Sequence, residues 1–233
     1  MSVHCSPKII TENLLIYLDA ANQKSYPKYG LDKWGDMTEN GNHFSMQGNL
    51  TNDAESFIFS ENIDNYFSSS NLIHPTSELT VEMWVLPDAN STGDAFYSFI
   101  SENPSGVNHY LANQSNLTIF GPNFSLTTDI SILNQGWTHI VRTSLRTTGI
   151  EKIYINGDIR YEHPLSATIP FSASGYFLLG QRPGSGGTLD SSYAYAGKIA
   201  IFKVYNTVLT ADEIKENFIA LRRRFYYWFL MNI

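Results

Sequence analysis

The stretch Gly136–Leu165, GWTHIVRTSLRTTGIEKIYINGDIRYEHPL, constrains the fold more than any other. Asn156-Gly157 stands between two runs of apolar and β-branched residues, and both residues tolerate the positive φ that a tight hairpin demands. The segment therefore reads as a strand opening on Trp137, a polar turn and a hairpin. Two registers compete. A two-residue loop places Ile153 and Ile155 on one face with Asp158 and Arg160, which buries charge. With Asp158 in the loop, Ile155 faces Ile159 and Ile153 faces Tyr161, separating an apolar face from a polar one. Register follows the buried face, so a three-residue loop is expected. Such a half-buried ribbon needs a second sheet to cover it.

The rest of the chain supplies that sheet. Aromatic residues are plentiful (14 Tyr, 14 Phe) and only 16% of the 233 residues are charged. Asn, Ser, Thr and Gly punctuate at short intervals, so strands and turns are favoured over helices. Strand-like runs occur at Leu14–Asp19, Ser56–Phe59, Tyr66–Ser68, Leu79–Leu86, Phe96–Ser101, Leu117–Phe120, Tyr176–Leu179 and Lys198–Tyr205. In LTVEMWVL, Leu79, Val81, Met83 and Val85 alternate with Thr80, Glu82, Trp84 and Leu86, giving two unlike faces. In KIAIFKVY the alternation groups Ile199, Ile201 and Lys203 against Ala200, Phe202 and Val204. Trp34, in a long loop of turn formers, is expected to anchor one end of the sandwich. A single helix follows: Thr210 to Glu213 forms a capping box, and Ile214, Phe218, Leu221 and Phe225 fall at helical spacing. The expected architecture is all-β, an arm over residues 1–12, one main domain over 13–225 with a helix near 211–224, and an apolar tail over 226–233.

Charge and composition exclude several functions. The net charge of −7 disfavours a nucleic-acid backbone as partner; without Arg222, Arg223 and Arg224 it would be −10. Those three arginines complement a helix C-terminus or contact a phosphate or partner. Cys5 is the sole cysteine, so an intrachain disulfide is excluded. The first twenty residues lack a basic segment followed by a long apolar run, so neither a signal peptide nor a membrane span is expected, and synthesis in a cytoplasm follows.

With its pieces in order, the chain resembles the laminin G-like and concanavalin A-like lectin and glucanase superfamily. The resemblance rests on LLIYLDA, FIFSENIDNYF, LTVEMWVLP, GWTHIVRT with IYINGDIRY, and YAGKIAIFKVYNTVLTADEIKENFIALRRRF, and covers roughly residues 13 to 225. It implies a jelly-roll sandwich of two antiparallel sheets. It is similar to modules found in tailed-phage and other viral structural proteins, which implies a virion address and other assembly proteins, or further copies of itself, as partners. The fold hosts lectins, glycosidases and structural modules alike, so function has to be read from the residues.

No paired-carboxylate string of the glucanase type is present, and Glu82 reads as a lone solvated side chain. Hydrolytic and nucleotide-binding motifs are absent as well, so the expectation is a protein without enzymatic activity. A calcium ion is conceivable at the turn FSENIDNY, where Glu61, Asp64 and Asn65 stand at the family's acidic positions; the alternative is a turn stabilised by Asp64 bonding its own backbone. His139 reads as a satisfied core imidazole. A glycan surface is offered by Gln181, Arg182, Asp190, Tyr193 and Tyr195 around a glycine-rich loop, with His109, Tyr110 and Asn113 as a second set. The apolar tail, from Phe225 through Tyr226, Tyr227, Trp228, Phe229 and Leu230, is costly to leave in water and either folds back or meets a partner. The leading expectation is a structural or surface-exposed module of a virion or similar assembly, with a lectin-like module second and a glycosidase a remote third.

Overall fold

The computed structural model describes residues 8–70, 72–89, 95–102, 105–165, 169–184 and 188–226. In chain order come β1 (Leu14–Asp19), β2 (Lys33–Trp34), β3 (Phe44–Gln47), β4 (Thr51–Asn52), β5 (Phe57–Phe59), β6 (Tyr66–Ser69), β7 (Leu72–Ile73) and β8 (Glu78–Pro87). They are followed by β9 (Ala95–Glu102), β10 (Ser105–Ala112), β11 (Thr118–Gly121), β12 (Phe124–Thr127), β13 (Thr138–Leu145) and β14 (Ile150–Ile155). The last elements are β15 (Asp158–Pro164), β16 (Ser174–Leu179), β17 (Gly197–Tyr205) and helix α1 (Ala211–Tyr226). The first sheet has the order β15-β14-β13-β8-β17-β5-β4, with β1 joined to β17, and the second has the order β12-β11-β10-β9-β16-β6-β3-β2, with β7 joined to β16. The expected two-sheet antiparallel sandwich with one C-terminal helix is what the chain forms.

Alternation decides what lies between the sheets. Leu79, Val81, Met83 and Val85 of β8 enter the core, while Trp84, on the other face, joins a second cluster beneath α1. Phe44, Phe57, Phe67, Phe99, Phe177 and Phe202 fill the core, each worth roughly 1.5–3 kcal/mol in burial. Trp34 sits among them, 4.8 Å from Phe57 and 5.3 Å from Phe67. The helix starts where the capping box says: Glu213 Oε2 accepts from Thr210 N at 2.7 Å, and Thr210 Oγ1 accepts from Glu213 N at 3.3 Å.

Two registers differ from expectation, both through β-bulges. In the hairpin, Ile155 pairs with Asp158 and Tyr154 with Ile159, and then the register slips so that Ile153 pairs with Tyr161. The loop is Asn156-Gly157 alone, at φ 55° and 82°. Asp158 is not a loop residue, because the bulge at Arg160 returns Tyr161 to the core side one pair later. Asp158 stays exposed and meets Lys215 of α1 at 2.6 Å, while Ile159 is left 47% exposed. In β17 the register shifts between Ile199 and Ile201. Ile199 thereby joins Phe202 and Val204 in the core, and Ile201 turns with Ala200 toward α1.

Candidate ligand-binding site

The glycine-rich excursion after β16 is pinned at both ends. Gly180 N donates to Phe96 O and Gly180 O accepts from Tyr195 N, each at 2.9 Å. Gly180 holds φ 81°, and a β-carbon there would meet the Phe59 ring at 2.3 Å, so only glycine fits the turn. The chain then crosses the outer face of the second sheet, where Gln181 O accepts from Ser98 Oγ of β9 at 2.8 Å.

That crossing delivers Arg182 onto an aromatic column. Tyr110 of β10 and Phe120 of β11 are cross-strand partners, and their rings stack at 4.7 Å with an interplanar angle of 3°. The Arg182 guanidinium carbon lies 4.7 Å from the Tyr110 centroid and 3.4 Å from that of Tyr193. A cation held between two ring faces gains roughly 0.5–2 kcal/mol from each. Tyr193 is set by a single 3-10 turn, Ser191–Tyr193, whose cap Asp190 accepts through Oδ1 from Ser192 N at 2.9 Å and Ser192 Oγ at 2.8 Å. Those two bonds, with the charge of Arg182, hold the Asp190 carboxyl below its usual range. Arg182 Nη1 donates to Pro183 O at 3.3 Å, and among the described residues neither the buried Nε nor Nη2 has a hydrogen-bond partner. The column thus combines one oriented cation, one oriented carboxylate and three aromatic rings.

Of the residues singled out in the sequence, Arg182, Tyr193, Asp190 and Tyr110 are brought together here. Gln181, Tyr195 and His109 are corrected: each is fully buried and presents nothing to solvent. Gln181 Oε1 accepts from Arg182 N at 2.8 Å, so it braces the column from behind. Tyr195 packs in the core between Phe59 and Phe96. His109 and Leu111 turn inward from β10 while Tyr110, between them, turns outward. His109 Nε2 instead lies 2.9 Å from His74 Nε2, and burial pushes both imidazoles far below the usual histidine range. Asn113 makes a turn, with its side-chain oxygen accepting from Ser115 Oγ at 2.8 Å. Phe120 and Arg142 were missed. The Phe120–Tyr110 pairing was not visible in either strand alone, whereas Arg142 and Glu151 did fall on the core-facing parity of the ribbon.

The FSENIDNY turn does not fit calcium. Asn65 spends both ends of its amide on protein, accepting from Asn49 N at 3.0 Å and donating to Ser60 Oγ at 2.7 Å. Among the described residues, no three of His, Cys, Asp and Glu are grouped to hold a metal. The turn-stabilising side chain is Asn62, whose oxygen accepts from Asp64 N at 3.0 Å, and Glu61 and Asp64 are exposed.

Glu82 is also corrected: it is fully buried under α1, 2.7 Å from Lys203 Nζ and 3.1 Å from His139 Nε2, with Asn217 Nδ2 donating to it at 2.7 Å. Burial opposes its ionisation, yet Lys203 and His139 outweigh burial and hold the carboxyl well below the usual range. Phe225 is no free docking residue; it is 3% exposed and stacks on Trp84 at 4.1 Å. Tyr226, the last helical residue, is 42% exposed, and Tyr227, Trp228, Phe229 and Leu230 lie outside the described residues. Of the three arginines, Arg224 pairs with Asp19 at 2.6 Å and donates to Glu55 O, while Arg222 and Arg223 are exposed. No described helix is long and apolar enough to cross a membrane.

Comparison with known proteins places this geometry in a family. The pentraxin-related protein PTX3 of Homo sapiens is 24% identical over 161 residues, covering 62% of this chain and 41% of that protein. For Mus musculus the identity is 26% over 156 residues, covering 61% and 40%. The chain therefore spans about two-fifths of the length of these curated relatives. Among solved structures, the binding domain of Botulinum neurotoxin DC in complex with SialylT superposes with a TM-score of 0.66 at 13% identity, covering 90% of this chain and 52% of that one. Trypanosoma rangeli sialidase in complex with sialic acid gives 0.67 at 12% identity, covering 95% and 35%. At such identities the likeness is one of fold. A sequence model described as the concanavalin A-like lectin/glucanases superfamily matches residues 60–215, more than half of the chain. On that match, the chain belongs to the concanavalin A-like lectin/glucanases superfamily.

Proposed function

We propose that this chain is a non-enzymatic binding module that takes a glycan on the outer face of its second sheet, at the column of Phe120, Tyr110, Arg182 and Tyr193. The observation that carries the reading is the clamped guanidinium: Arg182 lies 3.4 Å from Tyr193 and 4.7 Å from Tyr110, with Nη2 unpartnered among the described residues. Ring faces match the C–H face of a pyranose, while Arg182 and Asp190 offer a donor and an acceptor to its hydroxyl or carboxylate oxygens. Proteins of the same fold support it: the neurotoxin binding domain is in complex with SialylT and the sialidase with sialic acid. A catalytic reading has less support, because Glu82 and Glu151, carboxylates of the central strands, are fully buried and ion-paired. The test is a glycan array probed with and without calcium, followed by titration of the best ligand. Arg182→Ala is expected to weaken binding at least about tenfold, the scale of one lost charge-assisted hydrogen bond to the ligand, while the chain stays folded with an unfolding midpoint lowered by the lost ring contacts. A blank array, or an Arg182→Ala protein that binds as well, overturns the reading.

A second reading, attachment to other proteins of a virion or similar assembly, or to a second copy of the chain, is favoured by the run Tyr226 to Leu230, YYWFL, with Phe225 before it. Removal of residues 227–233 then abolishes association seen by size-exclusion chromatography and leaves glycan binding intact. A chain that is monomeric with and without the segment sinks this reading.

A further inference from the structure

A second cavity lies on the opposite sheet, at the end of the first sheet beneath the last turn of α1. Its volume is about 520 Å³, and its walls are Leu86, Trp137 and Phe225, with Asp53, Glu55 and Lys198 as polar lining. The aromatic wall is rigid. Trp137 and Phe225 lie 5.0 Å apart, and Phe225 is stacked on buried Trp84. The Trp137 indole N–H has no protein partner among the described residues.

The charges around the cavity are uneven. Lys198 Nζ is neutralised by Asp53 Oδ2 at 2.7 Å, and Arg224, which bonds the Glu55 carbonyl, is paired with Asp19 at 2.6 Å. That leaves the Glu55 carboxylate as the uncompensated charge. The backbone at Glu55 is held in place: its N–H donates to Asp53 Oδ1 at 3.1 Å, and its carbonyl accepts from Arg224. The residue before it, Ala54, sits at φ 74°, a left-handed conformation that an alanine adopts only when its surroundings impose it. Asn52 Oδ1, accepting from Ala54 N at 2.8 Å, is part of what imposes it.

A cavity with electron-rich ring faces and one spare carboxylate carried on a fixed backbone is complementary to an organic cation. An anion would meet Glu55 with no free cation to balance it. We infer that this cavity binds the alkylammonium group of a small amine, with its apolar stem on Trp137, Phe225 and Leu86 and its charge at Glu55. The site is independent of the glycan reading and shares no residue with the Arg182 column.

The test is a titration of the full chain with tetramethylammonium and n-butylammonium, following the Trp137 indole resonance by NMR, with tert-butanol and methyl glucoside as neutral probes. Both ammonium probes are expected to shift the resonance saturably, and the neutral ones to leave it. Glu55→Gln weakens the ammonium binding about tenfold, in line with removal of its counter-charge. Lys198→Met strengthens it, since Asp53 is then freed to face the cation; a gain of affinity is not a symptom of misfolding. Arg182→Ala leaves it unchanged. A missing saturable shift, an equal shift with a neutral probe, or a Glu55→Gln protein that binds as tightly overturns the inference.

Discussion

Arg142 shows how much one buried side chain does. It leaves β13 on the core side, and its Nε bonds Glu151 Oε2 at 3.0 Å. Its Nη1 crosses to the second sheet, reaching the Tyr97 hydroxyl at 3.3 Å and the carbonyls of Tyr110 and Phe120 at 3.2 and 3.1 Å. The same cation therefore ties the two sheets together and fixes the backbone of the two strands that carry the ligand column. Removing it leaves Glu151 inside the core with only Arg146, at 3.4 Å, and Ser144 as partners. Arg142→Ala is expected to lose about 3–5 kcal/mol in urea unfolding, mostly the penalty of the stranded carboxylate. Histidines set the pH dependence. Burial depresses His109 and His139 and brings His74 to about 3, so all three rings hold a proton less readily in the folded chain than in the unfolded one. The unfolded chain protonates them below about 6.5, so it binds more protons than the folded one and stability falls as pH drops from there toward 3. Each histidine adds a slope of up to about 1.4 kcal/mol per pH unit. Glu82, held by Lys203 and His139 below the ordinary carboxylate range near 4.5, adds its own loss only at more acidic pH. Urea midpoints measured from pH 7.5 to 4.5 are expected to decline steadily, and a flat profile between pH 6 and 5 contradicts this account.

At the scale of elements, α1 is held by its sheet contacts more than by its own sequence. Its apolar stripe meets Trp84, which stacks on Phe225 at 4.1 Å and on Phe218 at 5.8 Å. Phe225→Ala opens a cavity beside that indole and is expected to cost about 3–5 kcal/mol, read from denaturant unfolding. The elements legible in the sequence were those whose pattern is local. The alternation of β8, the ribbon of β13 and β14, and the Thr210 capping box all carry their own signal. Strand β10 did not, since Gly106 and Asn108 read as turn formers and its extended form comes from pairing with β9 and β11. The bulges at Arg160 and Ala200 were hidden for the same reason, because a register shift is a property of two strands. Arg182, Tyr193 and Tyr110 were each recognisable as surface-forming residues. What the sequence did not contain was their meeting, which depends on a loop crossing a sheet laid down by a distant part of the chain. Glu82 failed differently: its alternation was read correctly, but the face opposite the core was taken as solvent, when α1 covers it.

Across the whole molecule, one network closes the two ends of the described chain over the same face of the first sheet. Asn217 of α1 is fully buried and donates through Nδ2 to Glu82 Oε2 at 2.7 Å and to the Tyr205 hydroxyl at 3.0 Å. Its oxygen accepts from Ile10 N at 2.8 Å, and the Tyr205 hydroxyl donates to Ile10 O at 3.2 Å. A single amide therefore joins the N-terminal segment, the central strands β8 and β17, and the closing helix. The ligand column lies on the other sheet, outside this network. Asn217→Ala leaves Glu82 Oε2 and Ile10 N without that partner, at about 1–3 kcal/mol for each group kept buried. The loss is expected to be regional, because the core between the sheets does not use Asn217. Hydrogen exchange on the Asn217→Ala protein should therefore accelerate together at Ile10 and along α1, while β9, β10 and β11 keep their protection and Arg182-dependent ligand binding is retained. If protection instead falls equally in both sheets, the helix and the arm are part of one cooperative unit with the ligand face, and the separation of the two faces argued here is wrong.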